Sequence, residues 1–544
     1  MKNIKYKIFV IVSLLILGGY ACNTEELKIL DDPKYLLTPA NSDMSMMFTN
    51  ILINHGRGAV GGNQIRLEGG YVKYYATYSN LMQMGGQFQF DQGLNDSPWG
   101  VYGGSLKMAI ALEDYLVKLN NPNMVNNLAM TRIMKVAIIQ RLTDFYGDIP
   151  VTEAGLAYIT GNMKPKYDKQ QDIYKYMLET LDAEAQNLST AAALVPYNWK
   201  GASDAKSIRD IIYAGDMVKW KKFAYSMMLR LAMRSSDADA AMAKTYAEKA
   251  IAGGVITANS DNWVIKTKDG TINGEKNPFS SFFEGSPSGD PERYMKLGEY
   301  FVDFLKAKTD PRRKVIFGGR LLNTITAVTA GDMQKYWRDV TKWDYDIILA
   351  KGMIHGTNAN PAPSLAAYHQ TYTSPNPFLF TMDMSICVLS AAEMNYLIAE
   401  ATLKGWSTGT TADLAYAAAI TASMTQLSAF AGLLATQKIT AGEITAYITA
   451  NPLGTGAAAK QRLAEEMWVS LYLDPTEAWF NVRRMNLSLP TNVSGFVMPV
   501  KYAYVENERS NNLNNLNSAL TQIGLDVAVS REIEIAKRCW WDVN

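Results

Sequence analysis

Met130-Thr-Arg-Ile-Met-Lys-Val-Ala-Ile-Ile-Gln140-Arg-Leu-Thr-Asp-Phe-Tyr-Gly-Asp-Ile-Pro150-Val-Thr-Glu-Ala154 holds the decisive pattern of this chain. Ile133, Met134, Ala137, Ile138, Leu142 and Phe145 recur at three- and four-residue steps, which puts them on one face of an α-helix that has to be buried. Gly147 and Pro150 do not suit its continuation, and Asp144 and Asp148 beside them are side chains that cap and turn a chain at a helix end. Working outward, Asp172 to Leu188 repeats the device with Ile173, Met177, Leu181 and Leu188, and Asp168 with Gln171 predicts a capping box at its start. Trp220, Phe223, Ala224, Met227, Met228 and Leu231 form a third stripe, with Arg230 and Arg234 near its C-terminal end, where the helix dipole favours cations. Ala391 to Leu403, Ala412 to Leu427 and Arg462 to Leu473 read the same way, so the expected fold is mostly α.

Three long stretches break this pattern. Residues 56 to 104 interleave many glycines with tyrosines and phenylalanines, which no regular helix accommodates. A second block, from about Ala258 to Pro291, carries the turn signals Asp269-Gly270 and Asn273-Gly274 near Trp263, where minor β-hairpins are expected. A third runs from Phe317 to Phe380 and holds Trp337, Trp343, Tyr345, Tyr368 and Tyr372. Compact domains seldom keep irregular segments of such length without using them.

The chain has 544 residues, 48% of them apolar and 19% charged, enough to bury a large core. It opens with Lys2, Lys5 and Lys7, the apolar run Ile8 to Leu17, and Gly18-Gly-Tyr-Ala-Cys22. That run is short of the roughly 20 residues that cross a bilayer and has the form of a secretory signal. Cys22 directly after the small Ala21 predicts acylation of a bacterial lipoprotein, the alternative being a plain secretion signal with Cys22 retained. The expected organisation is a signal peptide over 1–21, a tether over 22–40 and a single domain over 41–544. Removing the three lysines leaves 50 bases against 52 acids, so no basic field exists to hold nucleic acid. Cys387 and Cys539 read as free thiols, with a mutual disulfide as the alternative on an oxidising export route.

No catalytic motif is marked. His55, His355 and His369 stand in no zinc-binding spacing, and a surface role is expected for His355 and His369. Asp269 to Ser280 departs from a calcium loop, since Thr271 and Ser280 stand where ligands are needed. No cofactor or metal is called for, although a pair of carboxylates brought together only in space would leave a surface glycoside hydrolase open as an alternative.

Arg141 to Ala154 resembles a signature of the SusD-like (RagB/SusD) nutrient-binding outer-membrane lipoproteins of Bacteroidota. Further segments match in order: Tyr167 to Tyr174, Gly215-Asp-Met-Val-Lys-Trp220 running to Leu229-Arg-Leu-Ala-Met-Arg234, Asp310-Pro-Arg312, Ala392-Glu393 with Ala399-Glu-Ala401, and Glu477-Ala-Trp-Phe-Asn-Val-Arg-Arg484. The resemblance implies a helical fold built partly on TPR-like helix pairs, and a surface protein that passes captured glycan or peptide to a SusC-like TonB-dependent transporter. It implies binding and not catalysis, with a scaffold protein as a further alternative. Asn23-Thr-Glu-Glu26 is similar to the acidic surface-export signal of these lipoproteins.

Within this picture Asp144, Asp148, Trp220 and Trp479 are expected to be scaffold, and Trp99 and Tyr102 to be helix-packing positions. A glycan site needs flat aromatic faces with amides or charges beside them. The irregular blocks offer Phe88 and Phe90 with Gln87 and Gln89, Trp263, Phe282 and Phe283, and Trp337, Trp343 and Tyr345 with Asp344 and Asp346. These aromatic residues are the expected ligand contacts.

Overall fold

The helical frame consists of α1 (Met44–Gly58), α2 (Ser105–Leu119), α3 (Val125–Tyr146), α4 (Gln170–Asn187), α5 (Met217–Arg234) and α6 (Ala240–Gly253), each packed on the next. Then follow α7 (Glu299–Ala307), α8 (Ala391–Leu403), α9 (Ala412–Ser428), α10 (Ala441–Ala450), α11 (Gly456–Ser470) and α12 (Pro475–Arg484). Helix α8 packs on α5, α9 and α11, which joins the two halves through one core. The computed structural model describes residues 44–58, 64–77, 85–190, 210–269, 276–280, 295–337, 339–356, 362–490 and 498–543. Cys22, the signal and tether segments, Phe282 and Phe283 lie outside the described residues.

Helix α3 shows why the opening stretch matters. Its predicted stripe is buried, and so is most of the rest of its circumference, because α1, α2, α4 and α5 all pack on it. The charged residues of the ordered motifs then meet inside the core. Arg234 on α5 pairs with Asp144 on α3 (2.9 Å) and with Glu477 on α12, while Tyr174 on α4 donates its hydroxyl to Asp144. Arg230 holds Glu393 on α8 through two bonds of 2.6 and 2.5 Å. Arg484 reaches Glu400 at 2.7 Å, Arg141 reaches Asp474 at 2.8 Å, and Arg312 bridges Asp310 and Glu466. Burial works against the charge of Arg230, yet the Glu393 and Glu477 carboxylates hold its guanidinium above its ordinary value. Burial raises Asp144, with Arg234 and the Tyr174 hydroxyl opposing it. Removing either member of such a buried pair would strand a charge.

The start of α4 departs from the capping box expected at Asp168 and Gln171. Asp148, from the turn after α3, accepts the Gln170 N–H at 2.8 Å, while Asp168 turns the other way. Its carboxylate takes the Val151 and Thr152 N–H groups at 2.7 and 2.9 Å and the Thr152 hydroxyl at 2.8 Å. Two aspartates thus brace the α3–α4 connection from opposite sides, a tertiary pairing that satisfies more donors than a local box would.

Among the described residues the minor β structure takes the form of three two-stranded antiparallel ladders, each closed over a long excursion of chain. β1 (Tyr75–Ala76) pairs with β3 (Lys296–Leu297), β2 (Trp263–Ile265) with β6 (Ile386–Leu389), and β4 (Arg320–Leu321) with β5 (Trp343–Asp344). Backbone bonds from Leu297 to Thr373, Met353 to Leu297 and Gly318 to Ser374 knit the irregular blocks into one platform on the helices. His355 and His369, expected at the surface, are buried in it. Burial lowers His355 to about 3, aided by the Lys73 charge, and His369 Nδ1 lies 2.8 Å from the Lys296 amine. Cys387 and Cys539 are free thiols. No helix among the described residues is long and apolar enough to cross a membrane, and no described cluster could hold a metal ion.

Candidate functional site

Four of the six expected aromatic contacts that lie among the described residues hold the fold together instead of facing solvent. Trp263 is fully buried and stacks on Phe223 at 5.8 Å, and Phe88 lies 4.5 Å beneath the Lys73 amine. Trp337 and Trp343 meet edge-to-face at 5.9 Å, and Trp343 Nε1 donates to the Tyr336 carbonyl at 2.7 Å. The physical reason is the same for all four: a platform with almost no regular sheet needs large rings to fill its interior. Phe90 and Tyr345 remain half-buried, and burial pushes the Tyr345 phenol up to about 12. Trp99 and Tyr102 pack on each other 4.9 Å apart, and Trp99 also meets Tyr146 edge-to-face.

Among the described residues, two open depressions offer room for a ligand of some size, beside a smaller one of about 260 Å³ lined by Leu106, Ile110 and Lys135. One, of about 520 Å³, runs beside Trp99 and Tyr102 and is edged by Asp96, Glu153 and Glu508. The other, of about 430 Å³, lies where the β2–β6 ladder meets the C-terminal end of α9. Its walls carry Phe378 and Phe430, both half-buried, with Asn259, Asn262, Gln426 and Thr381, and its single charged group is the exposed Asp383. Both volumes fit a small ligand. Both border aromatic faces with neutral amides, Trp99 and Tyr102 with Asn162 and Asn507 in the first, but three carboxylates edge the first whereas the second is almost neutral, the setting that suits a polyhydroxylated neutral ring.

The second cleft is firmly built. Asn259 Nδ2 donates to the Ala422 carbonyl of α9 at 2.9 Å, and Asn262 Oδ1 accepts the Ala391 N–H of α8 at 2.7 Å. Thr267 and Asn277 tie down the carbonyls of Met384 and Thr381 at 2.6 and 3.2 Å. Asn376 Oδ1 accepts the Phe378 N–H at 3.1 Å. Gly432, at φ 81°, lets its turn lie on the Phe378 ring, where a Cβ would stand 2.6 Å from a ring carbon. Cys387 borders the cleft as a neutral thiol, pushed up to about 12 by burial. Sequence reasoning missed Phe378, Phe430, Asn259, Asn262 and Gln426. The Pro375-Asn-Pro-Phe378 turn in the third block was a usable signal, whereas Phe430 follows a helix and carried none.

Comparison with known proteins agrees with this architecture. The structure matches a protein titled "chitin-binding protein" at 26% identity and TM-score 0.74, over 92% of this chain and 100% of that one. It matches a chitin-binding SusD homologue of Flavobacterium johnsoniae at 20% identity and TM-score 0.67, over 92% and 99% of the two chains, a likeness of fold. A SusD homologue of Bacteroides fragilis follows at 18% identity and TM-score 0.71, over 93% and 99%. No curated protein matches the chain. Residues 36–504 match the SusD-like family described as "Starch-binding associating with outer membrane", and with that match spanning most of its length, this chain belongs to the SusD-like family.

Proposed function

We propose that this protein captures oligosaccharide at the cell surface, held by a lipid on Cys22, and delivers it to a SusC-like TonB-dependent transporter. The observation that supports this reading best is the neutral cleft in which the half-buried rings of Phe378 and Phe430 stand among Asn259, Asn262 and Gln426. Aromatic faces cover the C–H side of a sugar and the amides pair with its hydroxyls. The family description and the 26% identical chitin-binding protein point to the same ligand class. Phe90 and Tyr345 are the members of the expected aromatic set left partly exposed, and they serve as secondary contacts in this reading.

The reading is tested by calorimetry of the processed protein against chito-, cello- and malto-oligosaccharides. At least one series should bind and be recovered uncleaved. Phe378→Ala combined with Phe430→Ala should weaken it about thirtyfold, since two stacking contacts contribute on the order of 2 kcal/mol together. Failure of every series to bind, or unchanged affinity in the double variant, removes the cleft as the site.

A further inference from the structure

Adjoining the cleft lies a smaller, less open chamber of about 50 Å³, and the two share Met384, Ser385, Cys387, Gln426 and Phe430 in their walls. Its lining is largely apolar, with Phe279, Ile386, Val388, Leu427 and Leu471. Several polar groups at its wall are committed elsewhere. Glu393 is paired with Arg230, Asp474 with Arg141, and Ser470 Oγ lies 3.1 Å from the Tyr396 hydroxyl. Ser423, on α9 and 4% exposed, makes no hydrogen bond through its hydroxyl. Other hydroxyls on the frame helices, such as Thr421 and Thr402, bond back to a carbonyl four residues earlier.

We infer that this chamber is a specificity pocket for the acetamido group of an N-acetylated hexosamine whose ring lies between Phe378 and Phe430. The inference rests on the carbohydrate reading above and narrows it to one class of sugar. A chamber of about 50 Å³ holds roughly three or four water-sized groups, room for a carbonyl and a methyl. The methyl meets the apolar wall and the Ser423 hydroxyl donates to the acetyl oxygen, giving a buried donor the partner it lacks. A hydroxyl in the same place leaves the apolar wall uncovered. A free ammonium is a desolvated cation in a wall whose carboxylates already belong to Arg230 and Arg141.

The test compares β-1,4-linked oligomers of N-acetylglucosamine, glucosamine and glucose, of equal length, on the processed wild-type protein by calorimetry. The N-acetylated series should bind at least about tenfold tighter than both others. Ser423→Ala should lower its affinity about fivefold, the worth of one hydrogen bond, and leave binding of the glucose series unchanged. Ser423→Val, which occupies the chamber, should abolish the preference while the melting temperature reports an intact fold. Equal binding of the glucose or glucosamine series by wild type overturns the acetamido pocket and leaves the carbohydrate reading standing. Binding by none of the three overturns the pocket, and the reading with it if malto-oligosaccharides also fail.

Discussion

At Glu68 a carboxyl group is buried with no salt bridge among the described residues, although the Arg141 charge acts on it. The Tyr502 hydroxyl donates to one oxygen, and the other oxygen has no partner. Burial raises its pKa from 4.5 to about 8, with the Tyr502 bond pulling the other way, so the folded protein keeps this proton at neutral pH. The unfolded chain releases it above its ordinary value. The stability this group contributes is therefore fully present below pH about 4.5 and declines as pH rises to about 8, beyond which both states are ionised. Glu68→Gln keeps an acceptor for Tyr502 and should flatten that decline, raising the melting temperature at pH 8 more than at pH 5. A variant that melts lower than wild type at pH 8 would contradict the buried neutral acid. Arg234 poses the opposite case. Arg234→Met leaves Asp144 and Glu477 buried with their main cation gone and should cost about 3–5 kcal/mol in denaturant unfolding. A loss under 1 kcal/mol would mean that these acids share the charge of other arginines.

At the scale of elements, the contrast lies between helices, whose periodicity is local, and the platform, whose order is made by long-range contacts. The stripes on α3, α4 and α5 were legible because a helix repeats its buried face every three or four residues wherever it packs. Trp337 and Trp343 were misread as solvent-facing because turn-forming neighbours say where the backbone bends and nothing about which way a ring points. The edge-to-face pair is buried, so Trp337→Ala or Trp343→Ala should each cost about 3–5 kcal/mol and leave the oligosaccharide affinity of the folded protein unchanged. Paired melting and calorimetry decide it, and a drop in affinity without a drop in melting temperature would return this segment to the site. The capping of α4 makes the same point at one hydrogen bond: sequence neighbours suggested Asp168, and the fold used Asp148.

For the whole molecule, the proposed function divides into an N-terminal anchor and a folded domain that binds the ligand. Cys22→Ala should release a normally folded domain from outer membranes, because acyl chains at about 0.8 kcal/mol per methylene supply the attachment. Retention of the variant in a strain without the transporter would sink the lipid anchor. The sequence by itself determined the helical class and, through its ordered motifs, the family, while the pairing of their charged residues inside the core emerged only with the fold. Class and family are written in periodic burial and in charged residues that recur at fixed places in successive motifs, such as Arg141, Arg234, Glu393 and Arg484. Tertiary structure alone decided which aromatic rings face solvent and where a ligand has room. Phe378, Asn259 and Phe430 lie far apart in the chain and form one cleft only after β2 pairs with β6 beside the end of α9. A cleft is a property of what surrounds a gap, and no local pattern encodes a gap.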